Sequence, residues 1–263
     1  SLIDSDNFID YSNTIRVISL ALATCSIPVM YTVCRKFFDH KYSLIGASLF
    51  AFEPHLNYNA GAAFTEPFFI ITILSSFYFV LTKNTKYIIP SLILAGVVFW
   101  IRPNGFIIFL IITIIYLITL KGQKHYFRNY ALGLTLFLIV ISPMLLQKYD
   151  QFGDPFYSYY NERIFAGSYE QLLGENTGKI NPTAMDYIKN EGLGSLLENY
   201  VLQGLFNTLM LLPKISLPYL IILIPFGILF SFRAFDQSSN YIKANWIFIL
   251  LSISSMLLVI AII

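Results

Sequence analysis

Long apolar segments recur through most of the chain and limit it to one class of fold. A helix that crosses a bilayer needs about 20 mostly apolar residues, and several segments approach that length. Lipid offers no partner to backbone N–H and C=O groups, so such segments cross as helices. The sequence therefore predicts an all-α fold, a polytopic transmembrane helical bundle of about eight spans. The predicted spans are 14–34, 43–60, 65–82, 87–101, 104–120, 129–147, 216–232 and 244–263.

The composition supports this class. Charged residues make up 12% of the chain, whereas a soluble domain has about 25%. The formal net charge is only +2, so no nucleic acid is expected as a partner. The expected surroundings are membrane lipids.

Charges in the loops predict the orientation of the bundle. The loops on one side are rich in lysine and arginine and contain two acids, Asp39 and Asp236, while the other side holds most of the acids. By the positive-inside rule the basic side is cytoplasmic. The polar candidates described below then lie on the external or luminal face of a prokaryotic plasma membrane or an ER membrane. The basic residues are Arg35, Lys36, Lys41, Lys83, Lys86, Lys121, Lys124, Arg128, Arg233 and Lys243.

The same reading divides the chain into three parts. Residues 1–147 form a transmembrane core, residues 148–200 a long external loop, and residues 201–263 further transmembrane helices. The chain starts without methionine and its final apolar run stops at Ile263. We therefore expect a fragment that lacks an upstream span and its loop and is truncated at the C-terminus.

The first polar constellation links the second and third spans. Glu53 and Glu66 each precede a proline, and His55 follows Glu53 by two residues. Proline interrupts a helix, which predicts a polar hairpin at the external rim. Both acids have a structural alternative as helix caps or solvated loop residues. His55 and Glu53 are only two ligands, which do not make a metal site.

The second constellation is Trp100-Ile101-Arg102-Pro103-Asn104-Gly105, between the fourth and fifth spans. A guanidinium at this depth can hold a phosphate through paired hydrogen bonds. The helix that starts after Pro103 adds an end that favours anions. The alternative is an arginine that snorkels to lipid headgroups.

The third constellation follows the sixth span. Asp154 and Tyr157 lie in a segment rich in aromatic and acidic residues. Such side chains can form a platform that binds a sugar or an acceptor. The alternative is a belt of tyrosines at the membrane interface.

These motifs, taken in order, resemble a known superfamily. "LFAFEP", "AFTEPFF", "WIRPNG" and "FGDPFY" are similar to segments of the GT-C glycosyltransferases over residues 14–165. The resemblance is to the branch of the protein O-mannosyltransferases and the lipid A aminoarabinose transferases. "TEPFF" and "RPNG" also resemble the mannosyltransferase that adds the second mannose of GPI anchors.

The resemblance implies a membrane hexosyltransferase. It would move a mannose-like hexose from a polyprenyl- or dolichyl-phosphate donor to a protein, lipid or glycan acceptor on the external face. Glu66 matches the family's acid at the head of its span, and Arg102 with Asn104 matches the Arg-Asn-Gly segment that holds the donor phosphate. Glu53, His55, Asp154 and Tyr157 are candidates for binding sugar or acceptor. The main catalytic acid is expected in the preceding N-terminal loop, and no cofactor is certain, with a divalent metal left open.

Two other classes of function fit a polytopic chain. A flippase or ligase for polyprenyl-linked sugars would place arginines along several spans, whereas only Arg102 lies in such a position. A small-solute transporter typically has paired halves with broken helices at equivalent places, and the sequence lacks that symmetry. The sequence leaves the sugar, the acceptor, the metal requirement and the oligomeric state open.

Overall fold

The computed structural model describes residues 5–62, 65–82, 84–102, 105–157, 184–203, 206–207 and 210. All the regular elements in these ranges are helical, so the predicted all-α class is confirmed for them. A 3₁₀ turn, Thr85–Tyr87, leads into α5, and a π-helical turn, Leu197–Leu202, follows α8. The helices are α1 Ser5–Cys34, α2 His40–Ala51, α3 Pro54–Gly61, α4 Glu66–Val80, α5 Ile88–Ile101, α6 Gly105–Thr119, α7 Tyr126–Phe152 and α8 Ala184–Leu196.

The predicted second span, 43–60, is not one helix, and this part of the prediction is wrong. Helix α2 ends at Ala51 and α3 starts at Pro54. Proline has no N–H to donate and is tolerated in the first turn of a helix, so Pro54 begins a new helix instead of continuing α2. The 12 residues of α2 extend about 18 Å at 1.5 Å per residue, which is shorter than the thickness of the hydrocarbon core of a bilayer.

Among the described residues, two helices are long and apolar enough to cross a membrane. They are Asp10–Cys34 within α1 and Tyr126–Phe152, which is α7. Helices α4 and α6, and α5 with its preceding turn, are apolar but shorter. The count of about eight spans therefore stays a prediction, and 216–232 and 244–263 lie outside the described residues.

The chain forms two compact units, Ser1–Pro143 and Met144–Ile263. The predicted boundaries at 147 and 200 are not tested by this division and stay predictions. In the first unit α1 packs on α2, α3 and α4, α4 packs on α5, and α5 packs on α6. Ser76 of α4 contacts Ser91 of α5, and Phe79 near the end of α4 stacks on Tyr87 just before α5, so these two helices are antiparallel.

Small residues bring these helices close together. Ser76 of α4 and Ser91 of α5 each donate a hydrogen bond to the other's backbone carbonyl at 2.8 Å, and both are fully buried. A Cβ atom on Gly96 of α5 would lie 2.9 Å from the Val140 side chain of α7. Close backbone approach through small residues and hydroxyl contacts is typical of helices that associate in lipid.

Three of the loops predicted to be cytoplasmic, those after α1, α4 and α6, meet at one end of the first unit. Lys36 Nζ donates to Thr82 Oγ1 at 3.2 Å. Thr85 Oγ1 donates to the Lys124 carbonyl at 3.3 Å and accepts from Asn129 Nδ2 at 2.9 Å. The connections after α1, α4 and α6 therefore lie together, and the turn between α5 and α6 lies at the opposite end.

Candidate functional site

The end opposite the basic loops brings together two of the predicted site residues. Glu66 begins α4 and Arg102 directly follows α5, and because these helices are antiparallel neighbours the start of α4 meets the end of α5. Arg102 Nη2 donates to Glu66 Oε1 in an ion pair. The side chains are partly buried, with exposed fractions of 26% for Glu66 and 40% for Arg102. Residues 36 positions apart thus form one charged centre.

Phe69, on the same helix as Glu66, also contacts the guanidinium, and the sequence analysis did not identify it. The Cζ atom of Arg102 lies 5.4 Å from the centroid of the Phe69 ring, within the range of a cation–π contact. Phe69 and Glu66 are three residues apart on α4, so they share one helix face. That spacing is the signal in the sequence that could have identified Phe69.

The ion pair leaves hydrogen-bonding capacity on both partners. A guanidinium has five N–H donors, and among the described residues only Nη2 of Arg102 has a side-chain partner. Glu66 Oε2 is buried and has no hydrogen-bond partner in the described part of the chain. The pair can therefore bind an anion through Arg102 and a hydroxyl group through Glu66.

The close backbone packing around Arg102 explains why residue 105 is a glycine. The Arg102 N–H donates to the Val98 carbonyl at 3.0 Å, and the Gly105 N–H donates to the Arg102 carbonyl at 2.8 Å. A Cβ atom on Gly105 would lie 2.6 Å from both Phe99 N and Val98 C. Only glycine allows α6 to start this close to the end of α5. Asn104, the other predicted phosphate ligand, lies outside the described residues.

Substituting Gly105→Ala is expected to destabilise the protein by about 1–3 kcal/mol, as overpacking typically does. The obstacle is backbone, which cannot rotate away as a side chain can. Thermal unfolding in detergent measures the effect. Gly61→Ala is the matched control, because a Cβ atom there has nothing within 4 Å. Equal unfolding temperatures for the two variants would show that the close approach is unimportant.

Glu53 and His55 lie at the break between α2 and α3. Glu53 Oε2 accepts a hydrogen bond from the Leu56 N–H at 2.6 Å, and so caps α3. Its other oxygen, Oε1, lies 3.5 Å from His55 Nδ1. Within the described ranges no three His, Cys, Asp or Glu side chains are grouped to hold a metal ion. The contacts of Glu53 fit the cap alternative, and its role in binding sugar or acceptor, like that of His55, stays a prediction.

Removing this cap separates the two roles of Glu53. Glu53→Ala is expected to lower stability by about 1 kcal/mol, the typical cost of a lost N-cap, while Glu53→Gln retains an acceptor oxygen and most of that stability. Thermal unfolding and transferase turnover are measured on both variants. A loss of turnover in Glu53→Gln at unchanged stability would indicate that the carboxylate also contacts a substrate.

Asp154 and Tyr157 belong to the second unit and form a compact turn after α7. Asp154 Oδ1 accepts from the Phe156 N–H at 2.9 Å, and the Tyr157 carbonyl accepts from Lys148 Nζ at 2.9 Å. The Tyr157 ring stacks on Phe152 with centroids 4.0 Å apart. Both residues thus support the local turn, and their predicted contact with sugar or acceptor remains a prediction.

A partly open cavity adjoins the Glu66–Arg102 pair. It is partly open to solvent, and its interior volume is about 80 Å³. Glu66 forms part of its wall. Helices α1 to α4 line it with Leu20, Ala23, Thr24, Ser26, Ile27, Phe50, Ala51, Leu56, Asn57, Ala60, Glu66, Pro67 and Ile70.

Comparison with known proteins identifies the family. No curated protein and no solved structure matches the chain significantly. The sequence model of the dolichyl-phosphate-mannose-protein mannosyltransferase family matches residues 8–146, which is more than half of the 263 residues. The match includes Glu53, His55, Glu66 and Arg102 and ends before Asp154. The predicted resemblance to GT-C glycosyltransferases is thereby confirmed: the chain belongs to the dolichyl-phosphate-mannose-protein mannosyltransferase family and is an integral membrane glycosyltransferase.

Proposed function

We propose that the protein transfers mannose from a dolichyl- or polyprenyl-phosphate donor to a hydroxyl group of a protein acceptor, on the external or luminal face of the membrane. The donor and the acceptor class follow the family's description, which names dolichyl-phosphate-mannose and protein. The proposed face follows from the basic loops, which favour the cytoplasm. Glu66 and Arg102 lie at the end of the bundle away from those loops.

The ion pair between Glu66 and Arg102 is the observation that carries this proposal. A donor of this kind keeps its phosphate on the lipid when the sugar leaves, so negative charge develops on the phosphate oxygen in the transition state. A preorganised cation next to that oxygen stabilises the developing charge. Glu66 and Phe69 hold the guanidinium in one orientation, while most of its N–H donors have no side-chain partner among the described residues.

The proposed reaction balances without a cofactor. The acceptor oxygen forms a bond to C1 of mannose, the bond between C1 and the phosphate oxygen breaks, and the lipid phosphate leaves as an anion bound by Arg102. The proton of the acceptor hydroxyl passes to a carboxylate acting as general base. We propose that Glu66 contributes a carboxylate to this centre through Oε2, which has no hydrogen-bond partner among the described residues, whereas Oε1 accepts from Arg102.

The proposal is tested in a reconstituted bilayer. The protein is incubated with radiolabelled dolichyl-phosphate-mannose and a serine- and threonine-containing peptide, and in parallel with a mannose nucleotide. Labelled peptide formed from the lipid-linked donor alone supports the proposal. Transfer from the nucleotide sugar, or no use of either donor, contradicts it. A peptide enclosed in the vesicles, compared with one added outside, reports the face on which transfer occurs.

A further inference from the structure

The cavity between α1, α2, α3 and α4 has polar groups from three helices on an otherwise mostly apolar wall. Thr24 comes from α1, Asn57 from α3 and Glu66 from α4. Its apolar lining includes Leu20 and Ile70. A few converging polar groups among apolar side chains are typical of sites for small organic ligands. A monosaccharide suits this wall, since its ring has apolar faces and its hydroxyl groups need hydrogen bonds.

The polar groups retain capacity for a ligand. Asn57 Nδ2 donates to the Ala51 carbonyl at 3.0 Å, and its Oδ1 atom has no partner among the described residues. Thr24 Oγ1 donates to the Leu20 carbonyl at 2.8 Å and can still accept a hydrogen bond. The remaining oxygen of Glu66, Oε2, is buried without a partner in the same part of the chain. An unsatisfied buried acceptor is unfavourable, and a ligand hydroxyl would relieve it.

Glu66 links this cavity to Arg102. One carboxylate oxygen contacts the guanidinium, while the same side chain lines the cavity. With the donor phosphate bound by Arg102, the mannosyl group that it carries, or the acceptor group that attacks C1 of this mannose, would therefore lie within reach of the cavity. Both groups bear hydroxyls: the mannosyl ring of the donor and the acceptor side chain.

We propose that this cavity is a subsite for a hydroxyl-bearing group of the reaction, with Asn57, Thr24 and Glu66 as its polar contacts. The inference rests on the proposed role of Arg102 in holding the donor phosphate. The mannosyl group of the donor is the first source of this chemistry, because it is covalently attached to that phosphate. The acceptor hydroxyl is the second source.

A variant that fills the cavity tests the inference without touching the ion pair. Ala23→Leu adds bulk at a lining position of α1, and Ala21→Leu makes the same change on an exposed part of α1 outside the lining. Binding of dolichyl phosphate and of dolichyl-phosphate-mannose is measured for both variants in bilayers. We expect Ala23→Leu to weaken binding of the mannosylated lipid about tenfold or more, by the usual effect of a changed pocket contact. Binding of the sugar-free lipid should be unchanged, as should both ligands with Ala21→Leu.

A second variant and the other possible results distinguish a mannosyl subsite from an acceptor subsite. Asn57→Leu keeps the approximate size of the side chain and should give the same selective loss. If Ala23→Leu leaves both lipids unaffected but raises the KM for the acceptor peptide about tenfold, the cavity binds the acceptor. Unchanged binding of all three ligands in Ala23→Leu overturns the subsite alone. Failure of the wild-type protein to bind either lipid overturns the subsite together with the proposed function.

Discussion

Replacing Arg102 by alanine is expected to reduce mannose transfer by at least about a hundredfold, the usual cost of losing one preorganised donor at a developing oxyanion. The guanidinium is the cation that the described structure places at the end of α5, between Glu66 and the face of Phe69. Without it the leaving phosphate would develop charge with no partner at this position. Transfer from labelled dolichyl-phosphate-mannose in bilayers measures the loss.

Two further variants separate geometry from charge. Arg102→Lys keeps the charge but loses the planar fork that binds phosphate through two hydrogen bonds, so it should recover only part of the activity. Arg35→Ala removes an arginine from the opposite end, where Nη1 donates to the Phe38 carbonyl, and controls for loss of a positive charge. Full activity in Arg102→Ala would exclude Arg102 from phosphate binding.

The sequence predicted where the site lies better than how its residues meet. Proline after Glu66 and after Arg102 marked two helix ends, and alternating loop charges placed both ends on the same face. Their direct contact was not predictable, because it depends on α4 and α5 being neighbours, and hydrophobicity alone does not specify which helices pack together. The position of Phe69 was accessible from its spacing to Glu66, but only once α4 was known to face Arg102.

The region around Glu53 shows a second limit of prediction from the sequence. Hydropathy over 43–60 predicted one span, whereas Pro54 within that range predicted an interrupted helix. The preference of proline for the first turn of a helix outweighed the hydropathy of the segment: Pro54 starts α3, and Glu53 caps it. An averaged apolar pattern therefore predicted the presence of helix but not its continuity, and the break supplies Leu56, Asn57 and Ala60 to the cavity wall.

Removing the carboxylate of Glu66 should reduce transfer almost as strongly as removing Arg102, because each residue depends on the other. Glu66→Ala leaves the guanidinium without its side-chain hydrogen-bond acceptor, and we expect a loss of about a hundredfold or more. Glu66→Gln keeps the size and an acceptor oxygen but not the charge, and should give an intermediate loss. Asp39→Asn is the matched control, since Asp39 also stands at a helix start and makes no side-chain cap contact.

The double variant decides whether the two residues act as one unit. If Glu66 works by holding Arg102 and by binding the attacking or transferred group beside it, Glu66→Ala combined with Arg102→Ala should lose little more activity than either single variant. Such non-additivity is expected for residues that share one interaction. Losses that multiply would show that the residues act independently, and would contradict the ion pair as the organising feature of the site. Turnover and donor KM are measured for all four members of this cycle, at equal protein levels in the bilayer.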